Sequence, residues 1–219
     1  MLTLYGVHRS RASRPIWLLH EIGMPFTHVP VIQSYRLPDA TAADAPLNTA
    51  SPAFLAVNPS GQVPAMEEDG LVLTESLAIC LHIARRHGGD LAPRDDRETA
   101  QAENWALFGA TSLETPGIDI LYTYAEGLAN TPDGAAKIAA AATALTRPMA
   151  RLEAHLTGRD WLMGDRFSVA DVMVAECLRY GSAHKPLMQA HPLTTAWLAR
   201  CQSRPAFQKM MTARLAEPA

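Results

Sequence analysis

Two points in the run NPSGQVPAMEEDGLVLTES (58–76) carry residues whose types and spacing suit the binding of a peptide. Pro64 follows Val63 directly ahead of an apolar run. Glu75 and Ser76 end a second apolar run just where a helical pattern begins. A cis Val63–Pro64 bond would explain the first point, because cis bonds are rare outside X-Pro and mark tight, specified bends. Such a bend turns the N–H and C=O of Val63 away from a sheet, where an extended peptide can pair with them. At the second point, unpaired N–H groups and the helix dipole attract a carboxylate. The two together suit a short peptide with a free carboxylate at its far end. Taken alone, a Val-Pro before a strand is most often only a loop.

These residues need elements that fix them. LTLY (2–5) reads as a short buried strand. From Ser13 on, Ile16, Leu18, Leu19 and Ile22 recur at helical spacing, and Gly23 stops the run. FTHVPVI (26–32) is strand-like, but Pro30 cannot donate to a ladder, which puts it at a sheet edge. Residues 33–50 are rich in Pro and Ala and read as a long loop with one helical turn. PAME and LVLT flank Glu68-Asp69-Gly70 as a hairpin. A mostly apolar helix with Leu77, Ile79, Leu81 and Ile83 runs from Glu75 to about His87. The order is βαβ, then ββα. HGGDLAPRDDRE has the Gly, Pro and charge of a linker. Beyond it lie long Ala- and Leu-rich stretches without strand alternation, where Pro116 and Pro148 are expected to kink or break helices. Ser168 and Asp171 match a capping box, with Phe167 and Val172 placed as a hydrophobic staple. No internal repeat is present.

The composition narrows the classes. The 219 residues allow one or two domains with real cores. Hydrophobic residues at 48% and charged residues at 19% are an ordinary globular mix. A net charge of −3 without a basic run argues against nucleic acid or an anionic membrane as partner. The opening MLTLYGVHRSRASRP lacks the features of a signal peptide, and no apolar stretch approaches about 18 residues. Cys80, Cys177 and Cys201 are scattered, which argues against a disulfide framework and for a reducing, cytoplasmic setting. Cys80 reads as a small core residue. The eight His residues show no metal-ligand spacing, so no metal is expected.

Several runs resemble the cytosolic glutathione S-transferase family. FLAVNPSGQVPA and the E-S helix start match its N-P-x-G-x-V-P segment. WLMGDRFSVADVMVAECL matches its capping box, and LTLYG with the helix ending in EIGMPF matches its amino-terminal unit. In this order the motifs cover essentially the whole chain. The resemblance implies an α+β thioredoxin-like glutathione-binding domain at 1–87, a linker at 88–96, and an all-helical domain at 97–219. It implies a detoxifying transferase that joins glutathione to small hydrophobic electrophiles, as a homodimer, with glutathione as co-substrate and no other cofactor. Gln62, Val63, Pro64, Glu75 and Ser76 are then the glutathione-binding residues, Val63 through its backbone and Ser76 through its hydroxyl and N–H, while Asn58 and Pro59 shape the turn. Trp105, Phe108 and Tyr122, with Tyr124, are candidates for the hydrophobic substrate site, although each singly is more often core. The first helix after the linker, starting near Arg97, would bring Gln101, Glu103 and Asn104 toward a partner's glutathione site.

Conjugation requires a thiolate. A free thiol with pKa about 8.5 is only a few per cent ionised at pH 7. Lowering that pKa by about 2 units takes roughly 2.7 kcal/mol of preferential stabilisation, and one hydroxyl donor to a charged acceptor contributes about 1.5–3 kcal/mol. YGVHRSRASRPIW offers Ser10, Ser13 and Tyr5. Ser10 falls where serine-type, bacterial-like members, nearest the theta class, carry their catalytic serine. Ser13 is the runner-up, or else caps the first helix ahead of Pro15. Arg11 could add charge, and Arg14 matches a basic residue of that helix. Tyr5 belongs with the strand. No Cys stands in this loop and no C-x-x-C exists, which weighs against disulfide-exchange members. Two other readings stay open: a protein that binds glutathione or apolar ligands without turnover, and an interaction scaffold.

Overall fold

The computed structural model describes residues 1–217. They pack into two compact units, one of residues 1–89 with the described residues from 205 on, the other of residues 90–204.

The first unit holds a four-stranded mixed sheet in the order β2-β1-β3-β4. Strand β1 (Thr3–Tyr5) pairs parallel with β2 (Thr27–Val29) and antiparallel with β3 (Ala65–Glu68), which pairs with β4 (Leu71–Thr74) through the Asp69–Gly70 turn. Strand β2 lies at the sheet edge and is shorter than the 26–32 run, ending at Val29 just before Pro30, which cannot donate to a ladder. Helix α1 (Ser13–Ile22) crosses between β1 and β2, and Gly23 closes it in the left-handed region at φ 69°. The short α2 (Pro52–Leu55) precedes the Asn58 turn, and α3 (Ser76–His87) follows β4. Beneath β1 and β3, Val31, Phe54 and Ala65 form a small core with Tyr5, Val29, Leu47, Val57 and Val63. On α1, every residue from Ser13 to Leu19 is buried. Each fully buried Leu or Ile there contributes about 1.5–3 kcal/mol. The βαβ-ββα order and mixed sheet are those of a thioredoxin-like domain.

The second unit is helical: α4 (Asp96–Phe108), α5 (Thr115–Ala125), α6 (Pro132–His155), α7 (Val169–Leu178), α8 (Lys185–Gln189) and α9 (Pro192–Gln202). Asp95 caps α4 by accepting from Glu98 N–H at 2.7 Å. The Ser168–Asp171 capping box forms at the start of α7, whose residues are all buried. Neither interior proline breaks its helix. Pro148 lies within the continuous α6. Pro116 stands in the first turn of α5, directly after a π-helical turn at Gly109–Glu114 whose wider ladder bridges α4 to α5.

Helix α10 (Pro205–Ala216) departs from the sequence reading, which put it in the helical domain at 97–219. It lies against α1 in the first unit, with the Phe207 ring edge-on to Trp17 at 4.9 Å. Both rings are buried, and that burial accounts for its placement. Pro218 and Ala219, the end of the expected range, lie outside the described residues.

Candidate functional site

Asn58 builds the turn ahead of Val63. Its Oδ1 accepts from the N–H and hydroxyl of Ser60 at 3.1 and 2.7 Å, and its Nδ2 donates to the Gln62 carbonyl at 2.7 Å. Pro59 and the Gln62 side chain are exposed. The Val63–Pro64 bond is cis. Val63 stands just ahead of β3, whose ladder begins at Ala65 opposite Tyr5 and Thr74. Its backbone therefore lies beyond the paired part of the sheet.

Glu75 joins β4 to α3 at φ 64° and ψ 105°. A non-glycine residue in such a conformation costs of order 1–3 kcal/mol, and such residues cluster at ligand clamps. The turn leaves the Glu75 side chain exposed and makes Ser76, 4% exposed, the first residue of α3. Arg14, 1% exposed, donates from Nη1 to Ser76 Oγ at 2.8 Å. A buried cation and a helix N-terminus thus converge on one hydroxyl, a field suited to a carboxylate.

Gly6 ties this region to the loop after β1. It sits at φ +132°, and a Cβ there would lie 2.9 Å from Ala12 Cβ, 3.2 Å from Val63 Cβ and 3.5 Å from Ser10 Oγ. Only glycine lets Ala12, Val63 and Ser10 close in on this point of the chain. Ser10, 9% exposed, donates to the Val7 carbonyl at 2.7 Å and accepts from Ala12 N–H at 3.0 Å. Ser13 is fully buried and is the first residue of α1, with Ala12 at the cap position, so it is not the cap that the sequence offered. Arg11 is exposed. Tyr5 lies in β1, and its hydroxyl donates to Glu67 at 3.3 Å. Burial and the Glu67 carboxylate both push the Tyr5 pKa up, away from a role as a readily ionised group.

Four residues that sequence reasoning missed also grip this loop. His28 Nε2 lies 2.6 Å from the Gly6 carbonyl, Gln33 Nε2 donates to the Arg9 carbonyl at 3.2 Å, and Glu217 and Arg214 bond to His8 and Arg9. No local pattern marks these partners, because the Glu217 contact spans 209 positions. The Arg14–Ser76 contact, 62 positions apart, had no local signal either.

The aromatic candidates of the helical unit divide into buried and exposed residues. Trp105 and Phe108 are buried with ring centroids 5.4 Å apart. Arg151 Cζ lies 4.8 and 4.3 Å from the two rings, and the His155 ring stands edge-on to Trp105 at 4.8 Å. These neighbours pack against both rings. Tyr122 is 50% exposed, and the Tyr124 hydroxyl lies 3.2 Å from His184 Nδ1. Gln101, Glu103 and Asn104 are exposed on α4.

Known proteins share this sequence and fold. The glutathione S-transferase N-terminal domain profile matches residues 9–86, and the C-terminal domain profile matches residues 120–205. Glutathione S-transferase 3 of Zea mays is 33% identical over 224 aligned positions, which cover 97% of this chain and 94% of that protein. The crystal structure of glutathione transferase F7 from Populus trichocarpa superposes with a TM-score of 0.79 at 31% identity, covering 98% of this chain and 99% of that one. The theta class enzyme of Xanthomonas axonopodis pv. citri, solved with glutathione bound, gives a TM-score of 0.75 at 28% identity and covers 95% of each chain. With both profiles matched in order and the relatives covered nearly end to end, the chain belongs to the glutathione S-transferase family.

Proposed function

We propose that the protein is a cytoplasmic glutathione transferase of the serine type, conjugating the glutathione thiolate to small hydrophobic electrophiles. The observation that carries this reading is the close approach of Ser10 Oγ and Val63 at Gly6. A tripeptide paired with the Val63 backbone, its γ-glutamyl carboxylate at Ser76 and the N-terminus of α3, would carry its cysteine thiol toward Ser10. A neutral hydroxyl stabilises a thiolate by donating to it without competing as a base. Within the family this reading is of a serine-type member, carried by Ser10 in the loop after β1.

The test is turnover of a panel of electrophiles, a glutathione titration, and ultraviolet titration of the bound thiolate. In Ser10→Ala, glutathione binding stays nearly intact and the bound thiol's pKa rises. Turnover at pH 6.5 falls about ten- to a hundredfold, equivalent to about 1.4–2.7 kcal/mol of lost thiolate stabilisation. An unchanged pKa in Ser10→Ala with a shift in Ser13→Ala moves the role to Ser13. A second reading draws on the bond from Ser10 to the Val7 carbonyl: in a protein that binds glutathione without turnover, the hydroxyl stays there. That reading requires tight glutathione binding with no turnover of any electrophile.

We also propose a homodimer in which α4 faces the partner. The exposed Glu103 carboxylate suits the γ-glutamyl ammonium of glutathione held by the other copy. Light scattering at micromolar concentration should give twice the chain mass, and a monomer would overturn the assembly.

A further inference from the structure

The two residues before Ser10 are held from outside their own loop. The Glu217 carboxylate accepts from His8 N–H at 2.7 Å through Oε1 and from Arg9 N–H at 2.8 Å through Oε2, and His8 Nδ1 lies 2.8 Å from Oε1. Arg214 on α10 donates to the His8 carbonyl, and Arg9 Nε donates to the Arg214 carbonyl at 3.1 Å. Each bond acts on a planar peptide unit. The His8 N–H held by Glu217 belongs to the same unit as the Val7 carbonyl, and that carbonyl receives the Ser10 hydroxyl at 2.7 Å. The next unit is fixed at both ends, its carbonyl by Arg214 and its N–H by Glu217. Glu217 therefore fixes the peptide plane against which Ser10 Oγ rests, and with it the place of that oxygen beside Gly6.

Burial alone would raise the Glu217 carboxyl, but the N–H groups of His8 and Arg9 and the His8 ring outweigh it and hold its pKa below the usual carboxylate range. The clamp is thus charged wherever the enzyme would work. Packing of α10 does not depend on it, because Phe207 and Met210 are buried independently.

We propose that Glu217 is a positioning residue for thiol activation: by clamping the His8 and Arg9 amides it holds Ser10 Oγ within reach of the bound thiolate, to which the hydroxyl proton turns from the Val7 carbonyl. This rests on the assignment of Ser10 as thiolate donor. Glu217 does not touch the tripeptide elements at Val63 and Ser76, so its loss acts on the thiol and not on binding.

The experiment compares wild type, Ser10→Ala, Glu217→Ala and Glu217→Gln by glutathione titration, ultraviolet titration of the bound thiol, and kcat across pH 6 to 9.5. In Glu217→Ala the bound thiol's pKa rises by about one unit and kcat at pH 6.5 falls about tenfold. The glutathione dissociation constant stays within about twofold, and kcat returns to the wild-type level at high pH, where the thiol ionises unaided. A general structural defect would lower kcat at every pH. Gln keeps one acceptor but turns an amide N–H toward the Arg9 N–H, so its shift is about half as large; it supplies the same readout should the Ala variant not fold. A raised thiol pKa in Ser10→Ala with wild-type pKa and pH profile in both Glu217 variants overturns the positioning role alone. An unchanged pKa in Ser10→Ala overturns the serine assignment, and the positioning role with it.

Discussion

Ser76 can do two things at once because a hydroxyl has one proton and two lone pairs. One lone pair accepts from Arg14 Nη1, which leaves the proton to donate to a carboxylate at the head of α3. Arg14 therefore orients Ser76 and adds positive field without leaving its buried position. Replacing Ser76 with Ala removes the donor and takes an acceptor from Arg14. Glutathione binding should weaken by about 1–3 kcal/mol, the range for a lost hydrogen bond to a charged group. Isothermal titration of Ser76→Ala decides it, and an unchanged affinity would remove the carboxylate from this position. The loop residues divide the same way: Ser10 is a candidate through its register with serine-type members of the family, whereas the contacts of Glu217 and Arg214 with His8 and Arg9 have no signal nearby in sequence.

At the scale of elements, α7 is fixed by a single carboxylate. Asp171 Oδ2 accepts from the Ser168 N–H at 3.0 Å and from its hydroxyl at 3.1 Å, while Oδ1 accepts from Leu162 N–H at 2.9 Å and Trp197 Nε1–H at 2.8 Å. One side chain thus caps α7, anchors the turn before it and holds an indole of α9. An Asn at this position must turn an amide N–H toward one of those donor pairs. Asp171→Asn should therefore cost about 1–3 kcal/mol of stability, read as a lower midpoint in thermal or urea unfolding; a wild-type midpoint would refute the account. The capping box was plain in sequence because its members stand three apart, and α1, the hairpin and α3 were plain because periodicity and turn residues are local signals. The Leu162 and Trp197 bonds to Asp171, the return of α10 to α1, and the burial of Trp105 and Phe108 depend on contacts between distant segments, which periodicity cannot encode.

For the molecule as a whole, stability against pH is set by buried groups that titrate in opposite senses. In the first unit His20 has its pKa lowered to about 4 by burial, with Lys209, His8 and His28 adding like charge. In the second, burial raises Asp171 to about 6 against the four donors around it. Unfolded His takes up its proton near 6.5, so between about 6.5 and 4 the unfolded chain binds more protons at His20, and stability falls as pH falls. Unfolded Asp releases its proton near 3.9, so over about the same window the folded chain holds the proton at Asp171, and stability rises as pH falls. The two slopes oppose each other. Lower still, Glu68 and Glu153 join Glu217 in pulling stability down. Burial raises each carboxyl, but hydrogen bonds outweigh it, from His87 and His82 at Glu68 and from Leu193 and Thr194 at Glu153, so their depressed pKa values are lost to protonation in strong acid. Melting temperatures at pH 7 and pH 4.5 should thus differ modestly in wild type. Asp171→Asn, which keeps only the His20 slope, should lose more stability on acidification than wild type, and His20→Gln, which keeps only the Asp171 slope, should lose less or gain. Parallel pH profiles in the three proteins would show that neither group carries the dependence assigned to it.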